Sequence, residues 1–143
     1  MSELKRLAYV EDDPDIRAIA ELALVDIGGF DLSLFSCGQA AVEGMEGAGP
    51  DLILMDVMMP GMDGFETVRR LRKIESLSAT PIVFMTAKAQ VQDIQQYKDL
   101  SLSGVITKPF DPMSLGQDVR DIWRAIQSGQ AHEPSVLTAW QRQ

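Results

Sequence analysis

Short apolar runs alternate with segments of helical period five times along the chain. The runs are Leu7–Val10, Leu32–Phe35, Leu52–Met55, Ile82–Met85 and Val105–Thr107. The third and fourth are apolar at every position, the pattern of strands covered on both faces in a parallel sheet. Pro81 precedes the fourth run, at a strand start where its missing N–H does least harm. Asp13–Pro14 and Asp111–Pro112 each set an N-cap acceptor before a proline suited to the first helical position. After Pro14 the helical spacing runs through Ile16, Ile19, Ala20, Ala23 and Ile27, until Gly28–Gly29 stops it. After Pro112 one apolar stripe joins Leu115, Val119, Ile122 and Ile126, and it ends near Ser128–Gly129. Three weaker helical segments are expected at about 38–47, 64–75 and 88–100. Residues 128–143 carry no periodicity and read as a flexible tail.

Alternating β and α elements imply a parallel sheet with right-handed crossovers and helices on both faces. Five such units predict a doubly wound α/β fold with a five-stranded parallel sheet and five helices. The expected strand order is the flavodoxin-like 2-1-3-4-5. Its switch point lies between strands 1 and 3, and ligands in such sheets bind there, outside the carboxyl ends of the strands.

Composition narrows the function classes. A chain of 143 residues suits one domain, and a formal net charge of -8 repels phosphate backbones, so direct nucleic-acid binding is not expected. The single cysteine, Cys37, cannot close an internal disulfide, and no Cys/His cluster suggests zinc. No apolar run approaches the roughly 18 residues of a membrane span. Met1 to Arg6 lack a signal-peptide core, so a cytoplasmic location is expected.

The chemistry lies at the ends of the strands. Strand 1 delivers Glu11 and Asp12, strand 3 Asp56, strand 4 Thr86 and strand 5 Lys108. Three acids on one sheet edge repel one another unless protons or cations neutralise them. A hard divalent cation fits; Mg²⁺ takes carboxylates, waters and a phosphate oxygen. Lys108 adds positive charge where a transferring phosphoryl group would need it, and the Thr86 hydroxyl can donate a hydrogen bond to one of its oxygens. Taken singly, each of these residues is more often a cap, a solvated charge or a strand former. Their convergence on one edge favours function.

Four pieces in order carry a resemblance. They are Tyr9–Asp13, Asp51–Gly64, Met85–Lys88 and Lys108–Phe110. The chain resembles the receiver domain of two-component response regulators over about residues 3–127. That resemblance implies that Asp56 accepts a phosphoryl group, with Thr86 and Lys108 binding it. It implies Mg²⁺ (or Mn²⁺ in its place) on Asp12, Asp56 and the backbone carbonyl of Met58, with Glu11 acting through a metal-bound water. Asp13 becomes the cap of the first helix, Pro60–Gly61 a turn, and Lys108–Pro109 a cis peptide. The implied donor is a sensor histidine kinase or a histidine phosphotransfer protein, since His132, the only histidine, lies in the tail. The implied output is a change of affinity for a protein partner, by a monomer or a weak dimer through the 88–100 helix, strand 5 and the last helix.

The chain departs from the family pattern in two places. Val105 stands where the family usually has an aromatic residue, so the readout is expected through the Thr86 loop and residues Lys88 to Tyr97. Met58 offers no side-chain hydrogen bond to an attacking water, so slow self-dephosphorylation is expected. Other functions compete. A haloacid-dehalogenase phosphotransferase wants an acid at position 58, and a flavin carrier wants an uncharged phosphate loop where Glu11–Asp13 stand. A receiver-like module that binds proteins without phosphorylation, or a receiver cut from a longer regulator with a separate effector domain, completes the set.

Overall fold

The structure is a computed structural model and describes residues 3–87, 100–128 and 135–137. The strands are β1 (Arg6–Val10), β2 (Asp31–Phe35), β3 (Leu52–Asp56), β4 (Ile82–Ala87), β5 (Gly104–Lys108) and β6 (Ser135–Leu137). The described helices are α1 (Pro14–Glu21), α2 (Gly38–Ala48), α3 (Gly64–Arg72) and α4 (Leu115–Gln127). All neighbouring strands pair parallel, in the order β2-β1-β3-β4-β5-β6. The first five strands thus take the predicted order 2-1-3-4-5. The helical segment expected at 88–100 lies almost wholly outside the described residues.

Two apolar layers sandwich the sheet. Ala41 and Met45 of α2 and Val68 and Leu71 of α3 pack on Ala8, Val10, Ile53, Met55, Ile82 and Phe84. Ala20 of α1 and Leu115, Val119 and Ile122 of α4 pack with Leu7, Tyr9, Leu54, Val83 and Met85 on the opposite face. Strand alternation sends neighbouring side chains to opposite layers, which is why β3 and β4 are apolar at every position up to Asp56 and Thr86.

Three local details differ from the sequence reading. The helix after Pro14 changes at Leu22 into a π-helical turn running to Ile27. In such a turn residue 27 stacks over residue 22, and both are exposed, as is Ile19, so the apolar stripe narrows to Ile16, Ala20 and Ala23. Asp111 does not cap a helix; its Oδ1 accepts the Met113 N–H at 2.9 Å, and α4 begins only at Leu115. The 64–75 segment breaks after Arg72 into a 3₁₀ turn, Glu75–Leu77.

The segment read as a tail contributes β6, which pairs beside β5 from Gly104↔Ser135 to Ile106↔Leu137. Helix α4 lies on the α1 face while α3 lies on the other, yet β4 and β6 both follow their strands in the same direction across the sheet. The β5–α4–β6 connection therefore has the opposite hand to β3–α3–β4, against the strong right-handed rule for such crossovers. Strand β6 is an accessory to the winding of the fold, not a sixth unit of it.

Candidate functional site

Parallel strands carry their carboxyl ends to one edge, and that edge gathers the acids and the lysine. Asp56 is the last residue of β3, Thr86 the fifth of β4 and Lys108 the last of β5. Glu11 and Asp12 follow β1 directly. In the ladder Asp56 pairs with Met85, and Ala87 with Lys108, so β4 and β5 end together, two residues beyond the level of Asp56. Asp13 caps α1 through Oδ1, which accepts the Asp15 N–H at 2.8 Å and the Ile16 N–H at 3.4 Å. That cap turns the chain away immediately after Asp12.

Lys108 is the hub of the cluster. Its Nζ donates to Asp56 Oδ1 at 2.8 Å and to Glu11 Oε1 at 3.1 Å. Glu11 and Asp56 are 1% and 2% exposed, so water does little to screen either charge. Oxygens of Glu11, Asp12 and Asp56 all lie within 4.8 Å of one another, and Asp12 is the most exposed of the three. Three carboxylate oxygens with no softer donor among them suit a hard divalent cation. Burial pushes the Asp56 carboxyl up to about 7; the Lys108 hydrogen bond pulls against this and the Glu11 charge adds to it. Burial opposes the Lys108 charge, but hydrogen bonds and attraction from Asp56 and Glu11 hold its pKa above the ordinary lysine value.

Several predicted site residues stand elsewhere on the edge. Thr86 is 1% exposed, at the carboxyl end of β4. Met58 projects into solvent at 65% exposure, whereas Met55 and Met59 are buried. The Lys108–Pro109 peptide is cis, and Gly61 has φ of 77°, in the left-handed region that suits glycine in the Pro60–Gly61 turn. His132 and residues Lys88 to Tyr97 lie outside the described residues.

Three supporting residues escaped the sequence reading. Tyr9 is fully buried, and its hydroxyl donates to Glu11 Oε1 at 3.0 Å. Burial first, then the neighbouring Glu11 charge, holds its phenol well above the ordinary tyrosine range, so it stays a donor. The two-residue spacing from Glu11 was the available signal, because it puts both side chains on one face of the strand. Arg17 Nη1 donates to the backbone carbonyl of Glu11 at 2.7 Å. Gly64 donates its N–H to the Val57 carbonyl at 2.9 Å and leaves no room for a side chain beside Asp56.

Comparison with known proteins decides the family. The response regulator receiver domain family matches residues 7–120. The chain belongs to that family. Among curated relatives it is 34% identical to the DNA-binding dual master transcriptional regulator RpaA of Synechocystis, over 85% of this chain and 50% of that protein. It is 36% identical to the transcriptional activator protein IrlR of Burkholderia pseudomallei, over 92% of this chain and 55% of that one. The receiver thus spans about half the length of these relatives. Among solved structures, the chemotaxis protein CheY4 of Vibrio cholerae aligns with a TM-score of 0.76 at 28% identity, over 84% of this chain and 99% of that one. The protein is a response regulator receiver of two-component signalling. Among the described residues no helix is long and apolar enough to cross a membrane.

Proposed function

We propose that the receiver is a phosphorylation switch in which Asp56 accepts a phosphoryl group from a phosphohistidine on a sensor kinase or phosphotransfer protein. The observation that carries the reading is Lys108 spanning Asp56 and Glu11 within a buried acidic cluster. An ionised Asp56 oxygen attacks phosphorus, and the new O–P bond forms as the donor's P–N bond breaks, leaving its electron pair on the imidazole nitrogen. Lys108 already touches Asp56 and needs only a small movement to meet the charge on the transferred group. The Thr86 hydroxyl, at the end of the neighbouring strand, donates to one of its oxygens. Glu11, Asp12, Asp56 and the Met58 carbonyl would hold Mg²⁺, or Mn²⁺ in its place, and the chemistry such a cation supplies is neutralisation of an incoming dianion. Phosphorylation then changes affinity for a protein partner through the Thr86 loop, in the cytoplasm. Residues 3–127 form the switch and 128–143 an appendage to it.

Incubation with Mg²⁺ and acetyl phosphate, read by intact mass, tests this reading against Asp56→Asn. One added phosphoryl group that needs Mg²⁺ and vanishes in the variant supports it. Unmodified, well-folded wild type would sink it in favour of a binding module that works without phosphorylation.

A second arrangement draws on the relatives, two of which are named as DNA-binding regulators and are about twice the matched length. In it the receiver governs a separate effector domain, and the acidic receiver itself makes no contact with DNA.

A further inference from the structure

The buried phenol of Tyr9 has no part in the scheme above. Glu11 directly follows β1, two residues beyond Tyr9, so their side chains rise from the same face and the phenol reaches the carboxylate just past the strand end. Glu11 Oε1 accepts from Tyr9 at 3.0 Å and from Lys108 at 3.1 Å, while Oε2 accepts the Asp13 N–H at 3.2 Å. A carboxylate oxygen has two lone-pair directions, and these two donors fill both on Oε1.

A core tyrosine with a satisfied hydroxyl would explain the burial alone, but not the choice of acceptor. The phenol shares its oxygen with Lys108, the group that must turn toward a phosphorylated Asp56. When Lys108 turns, a carboxylate that is 1% exposed loses a donor it cannot readily replace with water. We propose that Tyr9 is a positioning residue: it holds Glu11 within the acidic cluster and so releases Lys108 to follow charge on Asp56. The role rests on the phosphoryl-acceptor reading above, and on the contact of Tyr9 with Glu11 rather than with any reacting atom.

The test compares wild type, Tyr9→Phe, Glu11→Ala and the double variant. Each is measured for Mg²⁺ binding by calorimetry without a phosphodonor, and for phosphorylation by acetyl phosphate at saturating Mg²⁺. Urea unfolding of each protein separates site effects from loss of fold. Tyr9→Phe should weaken Mg²⁺ binding and slow phosphorylation by about tenfold, the scale of one hydrogen bond to a charged group. Both losses should disappear in the Glu11→Ala background, where the hydroxyl has no carboxylate to hold. A Tyr9→Phe protein that is less stable but matches wild type in both site measurements overturns the role, as do losses that persist without Glu11. If wild type takes up no phosphoryl group, the phosphoryl-acceptor reading fails, and the calorimetric cycle still judges whether Tyr9 holds Glu11.

Discussion

Lys108 at the end of β5 reaches across β4 to Asp56 at the end of β3, closing a contact of 2.8 Å between residues 52 positions apart in the chain. Replacing it with an apolar side chain leaves Glu11 and Asp56 buried without their shared cation. Removing one partner of a buried pair costs more than the pair contributes. Lys108→Met should therefore lose about 2–4 kcal/mol in urea unfolding of the metal-free protein near neutral pH. Added Mg²⁺ should restore much of that stability while leaving phosphorylation strongly impaired. Wild-type stability in the metal-free variant would show that the lysine does not neutralise the acids.

The raised Asp56 pKa sets the sign of a pH effect. Burial is the main cause, and the native carboxyl holds its proton up to about 7 where the unfolded chain releases it near the ordinary value of 3.8. Stability from this group is thus complete below the unfolded value and is lost as pH rises through about 7. Metal-free wild type should lose roughly 1–3 kcal/mol between about pH 5 and pH 8 that Asp56→Asn does not lose. Parallel unfolding curves for the two proteins across that range would contradict the shift.

Gly64 is fixed by its neighbours. A Cβ there would run into the Asp56 carbonyl oxygen and come within 2.9 Å of the Val57 Cα, both backbone atoms that cannot step aside. Gly64→Ala should cost about 2 kcal/mol or more, since overpacking against backbone displaces the loop beside Asp56. Chemical unfolding gives the cost. A variant as stable as wild type would mean that the loop yields freely.

Met58 projects into solvent two residues beyond Asp56. An amide at this position could orient an attacking water, as a thioether cannot. Met58→Asn should shorten the life of the phosphorylated protein by about tenfold, followed by intact mass after the donor is removed. An equal or longer lifetime would count against the slow-decay reading.

The order of strands, their faces and the edge where the chemistry lies were legible in the sequence, because period-2 and helical patterns report burial directly. The runs of β3 and β4 are apolar throughout since both faces are covered, Glu11, Asp12, Asp56 and Lys108 each follow or end a strand, and Thr86 stands one residue before the end of its own. Tertiary structure alone decided how these groups meet. That Lys108 divides its bonds between Asp56 and Glu11, and that Tyr9 completes the set, depends on strand register and side-chain reach across the sheet. The same limit hid the π turn that exposes Ile27 and the late start of α4, where the Asp111 side chain binds a turn N–H before any helix forms. Strand β6 was invisible for a related reason. Three residues are too few to show a period, and an edge pairing is held by backbone hydrogen bonds that any sequence without proline can make.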